Sequence, residues 1–285
     1  MTRLHIVHTT SFVYERAASA SYNEARMRPT TIPGQMVLSS RLTASPMSFS
    51  QEYRDYWGTH VVAFEVLRKH SELVVVSEST VDLAPRTDPI ASGLAEQVEW
   101  QTLSEPGIVD RLAEHLASTP ATAPSDDLAA LALAVGAGLS PSEAALAVCN
   151  AVRDAVEYVP GATGVHTRAA EAWEQRSGVC QDIAHLAIGA LRSLGIPARY
   201  VSGYLHPLGH EAVVGETFVG ESHAWVEFWC GEWYAYDPTN RCPVGDHHVV
   251  VARGREYYDV TPLRGVFAGG GRSQQSVQVA LTLEA

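Results

Sequence analysis

Hydrophobic and polar positions alternate through the first 85 residues. Leu4, Ile6 and His8 fall on one side of an extended stretch, and Val62, Phe64 and Val66 repeat the period. Leu73 to Val76, with Val81, adds a β-branched run. Period-two alternation predicts strands with one buried face, and Pro33-Gly34 and Trp57-Gly58 supply turns between them. An antiparallel β-sandwich or barrel-like unit is the natural outcome. The stretch Pro85-Arg86-Thr87-Asp88-Pro89 breaks any period and reads as a linker, giving an N-terminal β domain over 1–88 and a second domain over 89–285.

Beyond residue 106 the period lengthens. Val109, Leu112 and Leu116 share one face of a short helix, and Asp126 to Val135 forms a second. Ser140-Pro141-Ser142-Glu143 is a start signal, with Ser140 as N-cap, Pro141 at the first helical position and Glu143 closing a capping box. The helix that follows aligns Ala145, Val148, Val152 and Val156, with Cys149 beside them as core packing. Thr167 to Gln175 is another helix. The next begins near Cys180, buries Ile183, Ala187, Ala190, Leu191 and Leu194, and ends at Gly195 with Pro197 two residues on. Strands then take over at Ala198–Leu205, His223–Trp229, Glu232–Asp237, Val249–Val251 and Ser276–Leu283. The fold class expected is α+β.

Composition narrows the partners. The 32 acidic and 20 basic residues leave a formal charge of -12, which disfavours nucleic acid and anionic membranes. Met1 to His5 lacks the apolar core of a secretion signal. No apolar run reaches the roughly 18 residues of a membrane span. The four cysteines form no C-x-x-C pair, so neither a disulfide framework nor a structural zinc site is expected, and the compartment expected is the cytoplasm.

Cys180 changes the picture. It follows a Gly178-Val179 turn and opens a helix, where unpaired backbone N–H groups and the helix dipole favour thiolate. Most free cysteines are small core hydrophobes, so the position needs a base and an orienter to mean more. His223 starts one strand and Asp237 ends the strand that returns from it. If His223 faces Asp237, Phe228 opposes Glu232 and the loop is Trp229-Cys230-Gly231, with the glycine where a left-handed residue is wanted. That register puts imidazole and carboxylate side by side, and a one-residue slip would separate them. Cys180, His223 and Asp237 are therefore the candidate catalytic residues.

Other candidates fare worse. His206 and His210 have metal-ligand spacing on a helix, but Pro207 and Gly209 prevent one there. His247 and His248 point apart if extended. His185 sits five residues into the Cys180 helix and suits packing or hydrogen bonding. Asp182 in the first turn suits loop N–H groups. Cys230 and Cys242 could pair, but turn placement explains the first without a bond. No G-x-S-x-G elbow is present.

Three stretches now carry a resemblance. Thr167 to Trp173 through Gly178-Val179-Cys180-Gln181-Asp182-Ile183-Ala184-His185-Leu186, then Gly195-Ile196-Pro197-Ala198-Arg199-Tyr200, resembles the bacterial transglutaminase-like superfamily of cysteine-protease type. Ser222-His223-Ala224-Trp225 and Tyr236-Asp237-Pro238-Thr239-Asn240 continue it in the order Cys, His, Asp. Ser21 to Pro29 and Tyr56-Trp57-Gly58 resemble the family's β-rich N-terminal region, and Gly254 to Gly265 resembles its tail. The resemblance implies a papain-like transglutaminase core, helices packed on an antiparallel sheet, with Cys180, His223 and Asp237 as the triad. It also implies an oxyanion hole that includes the backbone N–H at the cysteine, and a pathway partner of the ATP-grasp, amide-forming type.

The activity expected is acyl transfer from a peptide or glutamine-type amide through a thioester, ending in hydrolysis. An amine acceptor, or a binding member without turnover, are the alternatives. The chemistry calls for no cofactor and no metal, and oligomeric state is not legible.

Overall fold

A computed structural model describes residues 1–85, 98–207, 213–269 and 271–285. Six strands come first: β1 (Thr2–Ala18), β2 (Ala20–Ala25), β3 (Gln35–Ser45), β4 (Phe49–Arg54), β5 (His60–Val66) and β6 (His70–Leu83). Leu4, Ile6 and His8 are buried, as are Val62, Phe64, Val66, Leu73 and Val75, so the alternation reports the core face faithfully. Two sheets face each other across Tyr14, Met27, Phe64, Val66, Leu73 and Val75, a sandwich core. Of the expected linker, Arg86 to Pro89 lie outside the described residues.

The helices follow: α1 (Trp100–Leu103), α2 (Pro106–Arg111), α3 (Ala113–Leu116), α4 (Asp126–Gly136), α5 (Pro141–Ala155), α6 (Ala169–Gln175), α7 (Cys180–Ser193) and, later, α8 (Tyr257–Val260). The helix expected through Val109, Leu112 and Leu116 is two short ones, broken at Leu112, and Val109 is exposed. The capping box of α5 forms, with Glu143 accepting the Ser140 N–H at 3.0 Å. Gly195 follows α7 with φ +80°, the left-handed conformation that ends it.

Between and after the helices come β7 (Glu157–Tyr158), β8 (Ser177–Gly178), β9 (Ala198–Leu205), β10 (Thr217–Gly220), β11 (His223–Trp229), β12 (Trp233–Asp237), β13 (Cys242–Pro243), β14 (His248–Gly254), β15 (Leu263–Ala268) and β16 (Ser273–Leu283). The central sheet runs β13-β12-β11-β9-β14, all antiparallel. Helix α7 packs on it, with Ile183, Ala184, Leu186, Ala187, Ile188, Ala190 and Leu191 fully buried. The loop before α4 lies directly on this helix: a Cβ on Gly189 would come within 2.1 Å of the Thr122 carbonyl oxygen.

The C-terminal strands correct the division at residue 88. They do not complete the central sheet; β15 pairs with β2 and β16 pairs with β1, so residues 263–283 finish the N-terminal sandwich. Strand β10, absent from the sequence reading, extends the same sheet by pairing with β16. The halves also meet through side chains. The Tyr204 hydroxyl donates to Met27 O at 2.8 Å and lies 2.9 Å from His8 Nδ1, while the Gln35 carboxamide bonds both backbone groups of Val250 at 2.8 Å.

Candidate active site

Cys180 is the first residue of α7, partly exposed, at the end that carries the unpaired N–H groups. Its turn is built tightly. Asp182 turns back to accept the Val179 N–H at 2.8 Å and the Thr163 hydroxyl at 2.5 Å. A side chain on Gly178 would collide with the Asp182 side chain, whose Cβ, Oδ2 and Cγ lie 2.7 to 3.0 Å from the position of a Cβ. Burial pushes the Asp182 pKa up, against the lowering by its hydrogen bonds. Strand β8 pairs in parallel with β7, placing Tyr158 beside Gly178 and next to the nucleophile's turn.

His223 and Asp237 do meet, by a register different from the one expected. Val226 opposes Tyr236 and Trp229 opposes Trp233, so the loop is Cys230-Gly231-Glu232, with Gly231 at φ +90° in its middle. The slip takes Trp229 out of the loop and into the ladder opposite Trp233, and both Trp229 and the loop residue Cys230 are buried. An even slip preserves the face, so Asp237 opposes Trp225 and reaches His223 diagonally. The His223 Nε2–H donates to Asp237 Oδ2 at 2.7 Å.

The electrostatics follow from these contacts. Burial works hardest against an imidazolium at His223, but the hydrogen bond to Asp237 and the nearby Cys180 outweigh it and raise the pKa to about 10. With Nε2 committed to Asp237, Nδ1 is the nitrogen left for the thiol. Asp237 is completely buried; burial favours its neutral form, yet bonds from His223 and His248 hold it far below the usual carboxylate range. The other three cysteines are free thiols in poorer settings. Burial pushes Cys149 and Cys230 up to about 12 and Cys242 to about 11.

Two residues at the site escaped the sequence reading. Asn240 donates its side-chain amide to Asp237 Oδ2 at 2.7 Å and its backbone N–H to Oδ1 at 3.2 Å, an Asx-type turn that the Asp237-Pro238 pair could have signalled. His248 places Nε2 3.2 Å from the same Oδ2, from a strand at the far edge of the sheet. His185, by contrast, behaves as expected: its Nε2 accepts the Tyr257 N–H at 3.1 Å, and complete burial lowers its pKa to about 3. His206 is buried near Phe218, and His210 lies outside the described residues.

The donor atoms of His223, Asp237 and His248 lie within 4.8 Å of one another, a spacing a divalent cation could bridge. A metal-ligating imidazole needs a bare coordinating nitrogen and donates through the other. Here the Gly245 N–H points at His248 Nδ1 at 3.3 Å, which leaves the proton on Nε2. The cluster is built for hydrogen bonds to a carboxylate.

Comparison with known proteins gives the family. Residues 129–238 match the model of the transglutaminase-like superfamily, and residues 4–82 match the bacterial transglutaminase-like N-terminal region. An uncharacterized protein of Mycobacterium leprae is 41% identical over 282 residues, 99% of each chain. The chain belongs to the transglutaminase-like superfamily.

Within that superfamily, an uncharacterized protein of Mycobacterium tuberculosis is 32% identical over 93% of this chain and 87% of its own length. A protein-glutamine gamma-glutamyltransferase of Pseudomonas aeruginosa is 40% identical over only 86 residues, 28% of this chain and 12% of that protein. The crystal structure of a "Putative Cysteine Protease from Cytophaga hutchinsonii" shares the fold, with a TM-score of 0.79 at 23% identity over 99% of this chain and 90% of that one. Among the described residues no helix is long and apolar enough to cross a membrane.

Proposed function

We propose that this superfamily member catalyses thiol-dependent acyl transfer on a peptide or glutamine-type amide, with hydrolysis as the usual outcome. The carrying observation is the pairing of His223 with the buried Asp237 at 2.7 Å, with Cys180 acting on the same ring from a helix N-terminus. Cys180 Sγ attacks the carbonyl carbon, and the tetrahedral adduct collapses as the C–N bond breaks. The leaving amine takes its proton from His223, and a thioester remains. The negative sulfur is one cause of the raised His223 pKa. Acylation removes that charge, so the imidazole becomes a better match for deprotonating water. Water then adds, the C–S bond breaks, and thiolate and imidazolium return.

An amine in place of water would make the enzyme a transglutaminase. The 86-residue likeness to a protein-glutamine gamma-glutamyltransferase favours keeping that reading. Hydrolysis is preferred because water is always at hand and no amine-binding group stands out. The proposed partners are a peptide or protein amide substrate and an amide-forming protein of the ATP-grasp type. Four free thiols support a cytoplasmic setting.

The test is covalent labelling followed by a substrate screen. Iodoacetamide at pH 6–7 should modify Cys180 well ahead of Cys149, Cys230 and Cys242, which burial holds as thiols. Equal, slow labelling of all four would sink the enzyme reading and favour a non-catalytic binding member. A peptide-amide library should release ammonia or amine by hydrolysis. Incorporation of an added primary amine faster than hydrolysis would replace the peptidase reading with the transglutaminase one.

A further inference from the structure

Asp237 has more donors than a simple pair requires. Oδ2 alone faces His223 Nε2 at 2.7 Å, Asn240 Nδ2 at 2.7 Å and His248 Nε2 at 3.2 Å, while Oδ1 takes the Asn240 N–H. His223 and Asn240 are local to strands β11 and β12. His248 is not: β14 lies at the opposite edge of the sheet, with β11 and β9 between it and β12.

The crossover from β13 brings it in. After β13 the chain crosses the sheet, burying Val244 against Trp225, Val201 and Val250, and enters β14 at His248. Within β14 the register on β9 shifts: Val250 opposes Gly203, but Ala252 opposes Ser202. The extra residue reverses the facing of everything after it. His248 and Val250, ahead of the shift, already lie on the face that carries His223, Trp225 and Glu227, and the shift brings Arg253 onto it as well. The His248 ring is then wedged edge-on against Trp225, centroids 5.3 Å apart, and Trp225 in turn lies 6.1 Å from the His223 ring. There is no slack beneath: a Cβ on Gly203 would come within 2.5 Å of Trp225 and 2.1 Å of the Val249 carbonyl oxygen.

We infer that His248 is a positioning residue of the site, a neutral imidazole whose Nε2–H is a second ring donor to Asp237 and holds that carboxylate in the orientation that meets His223. This rests on the acyl-transfer reading of Cys180, His223 and Asp237. The Gly245 N–H at Nδ1 fixes the tautomer, so His248 can only donate to the carboxylate. Its role is to stop rotation of the Asp237 side chain, and it neither touches substrate nor relays a proton.

The experiment compares His248→Phe, which keeps a ring against Trp225 without a donor, with His248→Gln, whose amide can reach the same oxygen. Losing a hydrogen bond to a buried charged group corresponds to about a 10- to 100-fold effect. His248→Phe should therefore slow iodoacetamide labelling of Cys180, and kcat on the amide found by the screen, by about that factor with KM unchanged. His248→Gln should recover to within about threefold of the wild type, at a melting temperature close to that of His248→Phe. Nitrogen-15 NMR of the imidazoles should show His248 protonated at Nε2 and not at Nδ1.

The inference is overturned if His248→Phe labels like the wild type, if both variants are slowed equally in step with their melting temperatures, or if His248 carries its proton on Nδ1. Wild-type Cys180 that fails to label ahead of the other cysteines would overturn the acyl-transfer reading itself. The NMR tautomer would still judge the His248–Asp237 contact separately.

Discussion

One face of the central sheet holds two buried carboxylates fastened in the same way with opposite consequences. Glu227 on β11 is gripped by Arg199 from β9 at 2.5 Å and Arg253 from β14 at 2.8 Å. Asp237 on β12 is gripped by His223 from β11 and His248 from β14. A dry wall of Trp225, Val201 and Val250 separates them. Arginine keeps its charge at every accessible pH, so the Glu227 cluster is a permanent clamp, reinforced where Arg199 lies 3.9 Å over the Trp233 ring. Imidazole can release its proton, so the Asp237 cluster is a clamp that can also do chemistry. Burial and geometry are shared; titratability of the partners distinguishes fastening from function.

The largest expected effect breaks the pair apart by activity. Asp237→Ala should lower turnover by about 10⁴-fold, the scale seen when a triad orienter fails. Glu227→Ala should leave turnover per folded molecule within about threefold, while two stranded arginines cost about 3 kcal/mol in urea unfolding. Arg199 and Arg253 keep some solvent contact, which sets that figure at the low end for a broken buried pair. Glu227→Ala protein that is folded yet inactive would erase the distinction.

A smaller effect should appear with pH. His223 titrates near 10 when folded and near 6.5 when unfolded, so its contribution to stability is complete below pH 6.5 and is lost as pH climbs through 10. Asp237 and Glu227 are both depressed in the fold; their contributions are present above the unfolded carboxylate range and vanish only in acid. Between pH 7 and 10 the site should therefore weaken while the arginine clamp stays constant. Thermal melts should show the wild type losing its advantage over His223→Gln across that interval. An advantage that stays flat to pH 10 would contradict the raised His223 pKa.

Much of this was legible in the chain because it is local. Alternation at Leu4, Ile6 and His8, the Ser140–Glu143 capping box and the helix start at Cys180 depend on near neighbours, and each forms as read. The His223–Asp237 contact was legible only as parity. The expected loop at Trp229-Cys230-Gly231 was one residue too early, and the pairing two residues off, because burial of Trp229 opposite Trp233 outweighs turn preference. What stayed hidden is nonlocal. Nothing near Leu263 or Ser273 says that these strands return to β2 and β1. Nothing near His248 announces that its strand takes the far edge of the sheet and still brings its ring to Asp237.

A third carboxylate sharpens the comparison by lacking cationic or imidazole partners. Asp182 is as buried as the other two, but its donors are the Thr163 hydroxyl and the Val179 N–H, and its pKa is raised where theirs are lowered. Neutral donors thus fail to offset burial. Thr163→Val removes one of the two. It should cost about 1 kcal/mol at alkaline pH and less as pH falls, because the raised pKa favours the neutral form toward acid. Protonation of Asp182 also withdraws a negative charge from the first turn of α7, so Cys180 should label up to about twofold faster near pH 5 than in the wild type. Urea midpoints at pH 5 and pH 8, with labelling rates at both, check the signs together. A stability loss larger at pH 5 than at pH 8 would mean that Asp182 is held as an anion like Asp237 and Glu227, and the three carboxylates would then differ in placement alone.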